Sequence, residues 1–346
     1  MKWIVAALVT VIVLGEGAPP LGAQGRDIVY LTSGASRTVS GTIQSVTADE
    51  ITIETRNGAT ARITADEFER FNLTDDPPKM GGIRDRIRLG QLQQALDGLA
   101  DIKVDDGARA IVSQDVEFYR AFATCRLAIS GNADLAEAGR LMLAFARRHK
   151  DSIHFYSASE TLGDLAVAIG KFDNAAKYYD QLQQAKSPGW RLRGNLLKAR
   201  ALQRMGDLQE AGRLYQQIAH DSDSAQPRMK SLAQVGLATT MAELGQAAAA
   251  VPILEDVILQ NDPSDAELFA RAHNALGACY RQLKQPEDAV LAYLYVDTLF
   301  SRDADAHAEA LYYLSQLWPQ VNKPQEALKS REMLKSRYAG TDWAKK

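Results

Sequence analysis

One alanine recurs along most of this chain at nearly constant spacing. Ala95, Ala138, Ala175, Ala211, Ala250, Ala289 and Ala327 are separated by 43, 37, 36, 39, 39 and 38 residues. Each follows a turn signal. The turns read Gly90-Gln91-Leu92, Gly170-Lys171-Phe172, Gly206-Asp207-Leu208 and Gly245-Gln246-Ala247, then Lys284-Gln285-Pro286 and Asn322-Lys323-Pro324. Gly ends a helix in a left-handed cap, and Pro is tolerated at the start of the next one. Four residues after the alanine stands a bulky residue: Leu99, Met142, Tyr179, Tyr215, Leu254 or Tyr293. Three further on comes another apolar one: Ile102, Phe145, Leu182, Ile218, Val257, Val296 or Leu334. Steps of four and three keep these side chains on one helix face. The pattern therefore predicts helix pairs, with a small residue where two axes cross closely. The chain's 53 alanines serve the same end, since Ala combines the best helix propensity with the smallest contact radius.

The leading helix of each pair carries a second small position. Leu162-Gly163 leads to Ala166, Leu276-Gly277 to Tyr280, and Leu314-Ser315 to Trp318; Ala199 with Leu202 and Ala238 with Met241 are looser versions. In period and pattern, residues 79–346 resemble tetratricopeptide (TPR) repeats, whose period is about 34 residues. The resemblance implies an α-solenoid of six to seven helix pairs. Arg126 and Arg331 depart from the pattern, as does the short, glycine-broken lead helix from Met80 to Leu89. Irregular terminal repeats are expected, because they cap the stack. Pro319 inside a helical run predicts a kink or a shortened helix, and Trp318 is predicted to be core. The closing phrase Arg337-Tyr338-Ala339-Gly340-Thr341-Asp342-Trp343-Ala344 resembles one common in bacterial envelope TPR proteins, with Ala339 where proline usually stands.

Before the repeats, residues 25–75 alternate with period two. Ile28–Leu31, Val39–Val46 with Gly41 inside, Ile51/Ile53, Ala61/Ile63 and Phe68/Phe71/Leu73 read as five short strands. Asn57-Gly58 supplies a hairpin signal, and a glycine within a strand marks a bend. This order resembles Sm-like or SH3-like domains, which implies a small closed β-barrel. Five arginines stand against seven carboxylates over residues 26–73, so the segment has no basic face for nucleic acid. Asp75-Asp76-Pro77-Pro78 then reads as a break, since paired prolines stop strands and helices alike. The fold class expected is mainly α: a TPR-type α-solenoid preceded by a small all-β barrel.

Residues 1–23 read as a secretory signal. Lys2 is followed by an apolar run from Trp3 to Leu14 and a small-residue region ending at Ala23. That run is too short to span a membrane comfortably, and no later stretch supplies the roughly 20 apolar residues a span needs. The expectation is an exported protein of the periplasm or cell envelope. Cys125 and Cys279 are too few for a disulfide framework and read as buried small side chains. No Gly-x-Ser-x-Gly elbow, phosphate loop, dinucleotide fingerprint or His-Glu-x-x-His pair is present. His149 and His154, five apart, read as loop residues rather than metal ligands. The reading is therefore non-enzymatic, with no cofactor and no metal.

In TPR proteins the first helices line the concave face, where partners dock. Arg193, Arg200 and Arg204, spaced by seven and four, fall within about 20° of one line at 100° per residue. Arg271, Asn274 and Arg281 lie on the corresponding helix two repeats on. Guanidinium groups suit bidentate capture of carboxylates. The arrangement loosely resembles TPR domains that clamp a partner's carboxylate terminus, without their Lys/Asn pattern. These six residues are the candidate binding surface for a protein or peptide ligand. The chain is expected to act as an envelope adaptor or scaffold, with the β segment positioning it. The alternative is a structural protein acting by self-association or cell-wall contact.

Overall fold

The computed structural model describes residues 26–32, 36–220, 226–339 and 341–346; the signal segment expected over residues 1–23 lies outside them. Five strands come first: β1 (Asp27–Leu31), β2 (Thr38–Val46), β3 (Glu50–Thr55), β4 (Thr60–Thr64) and β5 (Phe68–Asn72). Fourteen helices then alternate in pairs: α1 (Met80–Arg88), α2 (Leu92–Ala100), α3 (Ala110–Ile129), α4 (Leu135–Arg148), α5 (Phe155–Ala168), α6 (Phe172–Leu182) and α7 (Pro188–Met205) open the series. It continues with α8 (Leu208–Ala219), α9 (Pro227–Glu243), α10 (Ala247–Gln260), α11 (Ala266–Gln282), α12 (Pro286–Leu299), α13 (Ala304–Leu317) and α14 (Pro324–Arg337). A short α15 (Asp342–Lys345) ends the chain. Odd-numbered helices lead their pairs. The chain forms two compact units: residues 1–168 with 184–191, and residues 169–183 with 192–346.

The sheet is antiparallel in the order β4-β3-β2-β1-β5. This corrects the expectation of a closed barrel: among the described residues β4 and β5 form no ladder, so the sheet is open. It is nevertheless strongly curved. A flat five-stranded sheet would hold its edges about 19 Å apart, yet the link from Thr64 to Phe68 reaches at most about 14 Å. Gly41 permits the bend in β2. A Cβ there would lie 2.0 Å from the Glu54 carbonyl oxygen. The β3–β4 hairpin also differs in detail from the two-residue form. Thr55 N–H donates to the Ala59 carbonyl at 2.8 Å, and within the turn only Gly58 has positive φ, giving a three-residue loop closed by a glycine bulge.

Carboxylates bind the sheet to the helices of the first unit. Arg84 of α1 is fully buried. Its Nη2 donates to Asp76 at 2.7 Å, and its Nε donates to Asp115 of α3 at 2.8 Å. His154 Nε2 lies 2.8 Å from the other Asp115 oxygen, with its ring stacked 4.0 Å from Phe118. Arg109 donates to both oxygens of Asp27 on β1, at 2.8 and 2.7 Å, and its backbone N–H and Nε donate to Asp75. Asp49 accepts from Tyr156 Oη and Lys186 N, and Asp66 from Gly189 N. Asp75-Asp76 is thus an anchor for two arginines.

The repeat pattern appears as read. The six alanines from Ala95 to Ala289 are wholly buried and Ala327 nearly so. The turn residues Gly90, Gly131, Gly170, Gly206, Gly245, Lys284 and Asn322 all have φ between 59° and 92°. Most close with a bond spanning six residues, such as Asp207 N to Leu202 O and Gln285 N to Tyr280 O. Helix α13 stops at Leu317 and a 3-10 turn over Trp318–Val321 follows, as Pro319 requires, with Trp318 buried. Cys125 and Cys279 are free and buried, and burial pushes their thiols up to about 12 and about 11. No helix among the described residues is long and apolar enough to cross a membrane.

Arg84→Met leaves Asp76 and Asp115 charged without their cation. It should destabilise the protein by about 3–5 kcal/mol in urea unfolding followed by circular dichroism. Adding Asp115→Asn should recover part of that loss; an unchanged midpoint in Arg84→Met would contradict this role.

Candidate functional site

In the second unit the leading helices α7, α9, α11 and α13 bring their polar residues to one face. Close helix packing sets this geometry. A Cβ on Gly236 of α9 would lie 2.3 Å from the Tyr215 ring, and one on Gly277 of α11 would lie 2.6 Å from Tyr293. With both tyrosines seated against backbone, Arg200 of α7 comes within 3.7 Å of Glu267 of α11, two pairs on. Side chains from next-but-one pairs meet only on a face that curves inward. These residues therefore line the floor of a groove.

Glu267 is the hub of this floor. It accepts Arg228 Nη2 of α9 at 2.8 Å and Arg271 Nε at 3.2 Å. Burial would raise its carboxyl, but Arg228, Arg271 and Arg200 outweigh that and hold it at about 2. Arg228 also bonds Asp265, and Arg271 reaches Asp303 at 3.4 Å. Arg200 is served least. Its contact with Glu267 is longer than the other two, and among the described residues it makes no hydrogen bond. Its side chain keeps 26% of its surface exposed. Desolvation, with repulsion from Arg271 and Arg193, pushes its guanidinium down to about 10. A depressed arginine is an under-neutralised one.

A complementary deficit lies at α13. Glu309 stands 38 residues after Arg271, one repeat on. Among the described residues its carboxylate has no ion pair; its one hydrogen bond is from Asn274 Nδ2 at 3.2 Å. Desolvation and the neighbouring Asp305 raise it to about 7, against the weaker pull of Arg271, Asn274 and Lys346. Asn274 is 5% exposed. Its Nδ2 also bonds the Ala306 carbonyl at 2.8 Å, which fixes the amide's orientation, and its Oδ1 has no donor.

The six residues singled out by sequence thus divide. Arg200, Arg271 and Asn274 meet on the floor. Arg193 is exposed on α7 and acts on Arg200 through its charge. Arg204 turns instead onto the Phe172 ring of α6, at 5.3 Å. Arg281 stacks 3.7 Å over Tyr313, which itself stacks on Tyr293. Sequence reasoning missed Glu267 and Glu309. The first lies four residues before Arg271 and the second one repeat after it, so spacing held the signal. His149 faces Glu117 and His154 faces Asp115. Among the described residues no three metal-ligating side chains converge.

Similar folds exist among solved structures. A tetratricopeptide repeat protein from Parabacteroides merdae ATCC 43184 matches with a TM-score of 0.55 at 13% identity, over 77% of this chain and 96% of that one. The fold is that of TPR solenoids. A Rap protein complexed with Competence and Sporulation Factor matches at 0.53 and 13% identity, over 77% of this chain and 76% of that one. A chain of the APC/C hetero-tetramer Cut9-Hcn1 matches at 0.51 and 14% identity over 74% of this chain, which spans only 44% of that one. No protein-family model and no curated protein sequence matches.

The Glu309 carboxyl gives a test with a definite sign. In the unfolded chain it titrates near 4.5, and in the folded protein at about 7. Below 4.5 both states are protonated and no penalty exists. Between the two values the unfolded chain loses its proton first, so stability falls with rising pH and levels off above 7. Glu309→Gln should melt like the parent at pH 4 and roughly 2–6 °C higher at pH 8 by scanning calorimetry. A difference independent of pH would contradict the assignment.

Proposed function

We propose that this protein is a non-catalytic adaptor that captures a peptide or protein segment on the charged floor of its second unit. The observation that carries the reading is Arg200: a desolvated, partly exposed guanidinium with no hydrogen bond. Folding gains little from such a group, whereas a ligand carboxylate could pair with it in bidentate fashion. The Rap protein crystallised with Competence and Sporulation Factor supports the reading at the level of fold. The signal-like start and the envelope-type closing phrase extend the proposal to an exported protein of the bacterial envelope. An exposed apolar row on α12, Leu291, Tyr295 and Leu299, favours self-association as a second reading.

The test is affinity capture from envelope extracts with quantitative mass spectrometry, comparing the parent with Arg200→Gln. The variant should melt within about 2 °C of the parent, because it removes no hydrogen bond, and should retain at least about tenfold less partner. Equal retention would reject groove capture. A concentration-dependent dimer in light scattering, with no partner retained, would favour self-association.

A further inference from the structure

Two charges on the groove floor are only partly compensated, and they have opposite signs. Arg200 offers a guanidinium without a hydrogen bond on the α7 side. Glu309 offers a carboxylate without an ion pair on the α13 side. Both are read against α11, through Glu267 and Asn274 respectively. We infer that the groove selects a dipolar segment, with an acidic group seated at Arg200 and a basic group, ammonium or guanidinium, seated at Glu309 beside Asn274. This rests on the capture reading above and adds the ligand's chemistry and order.

The basic subsite stands on more than one carboxylate. Asn274 is buried against Glu309, and its Oδ1 is an acceptor with no donor. Among the described residues the Glu309 carboxylate accepts only from the Asn274 amide; the Tyr293 phenol stands near enough to feel its charge but makes no hydrogen bond to it. The surrounding charges leave room for a cation. Asp305 of α13 adds negative potential. Arg271 of α11 is already committed to Glu267 and Asp303. Lys346 acts on Glu309 only at longer range, its ammonium lying 3.8 Å over the Trp343 ring. An incoming cation would have no tight internal rival to displace.

The spacing follows from helix geometry. Glu267 and Asn274 are seven residues apart on α11, two turns or about 10 Å. An extended peptide advances about 3.3 Å per residue. Because Arg200 and Glu309 approach α11 from opposite sides, that rise is a minimum, and the acidic and basic groups of the ligand should stand at least about three residues apart. A segment with the charges in reverse order would have to bind in the opposite chain direction.

A phage-displayed library of random linear heptapeptides tests this on the full chain, with an unrelated folded protein as control. The parent should enrich peptides carrying one acidic and one basic residue at least about three positions apart. Glu309→Gln keeps the size of the side chain and its bond from Asn274. It should lower enrichment of the basic residue about tenfold while leaving the acidic preference. Arg200→Gln should do the reverse. Enriched peptides without a basic residue, or an unchanged basic preference in Glu309→Gln, would overturn the dipolar site and leave capture standing. No enrichment over the control would overturn both.

Discussion

Close approach of helix backbones governs the second unit. Alanines at the crossing points, and glycines whose absent Cβ leaves room for the Tyr215 and Tyr293 rings, let successive helices pack with little between them. Nearly identical contacts repeat along the stack, so each pair adds a similar rotation. That repetition turns the leading helices toward one another and gathers their polar residues on a shared floor. Bulky residues at those crossings would push the axes apart. Arg200 would then lose its reach to Glu267 and Asn274 its reach to Ala306. The electrostatics of the groove thus follow from the sterics of its walls.

Two arginines show how differently the two units use charge. Arg84 is fully buried, yet hydrogen bonds to Asp76 and Asp115 more than offset its desolvation, and its guanidinium is held above the ordinary range. It fastens α1 to α3 and to the segment that follows the sheet. Arg200 keeps 26% of its side chain exposed and has only the longer contact with Glu267, and its guanidinium is held below the ordinary range. The same guanidinium chemistry is satisfied within the fold at Arg84 and left without a hydrogen bond at Arg200. Glu309 repeats the contrast among carboxylates. Asp27 is buried as well, but Arg109, Thr74 and Ile43 hold it below its usual value, while burial carries Glu309 upward.

The repeats were legible because one packing demand is written seven times. Alanine anchors, left-handed turns and the proline-shortened α13 each follow from local rules. Closure of the sheet was not legible. It depends on whether two edges joined by Ala65, Asp66 and Glu67 reach pairing distance, and strand periodicity is silent on that. Asp75-Asp76-Pro77-Pro78 read as a break for a related reason. The prolines speak locally, whereas the partners of the two aspartates lie 8 and 34 residues away. In the groove, helical spacing found Arg200, Arg271 and Asn274. It could not rank them, because what distinguishes Arg200 and Glu309 is missing compensation, a property of neighbours in space.

We propose that the partner is held on the floor formed by the leading helices. Photocrosslinking in intact cells tests it most directly, with benzoylphenylalanine placed singly at Arg193, Asp305, Leu259 or Leu299. One common adduct is expected from Arg193 and Asp305, on leading helices, and none from Leu259 or Leu299, on α10 and α12. Adducts confined to Leu259 and Leu299 would contradict it.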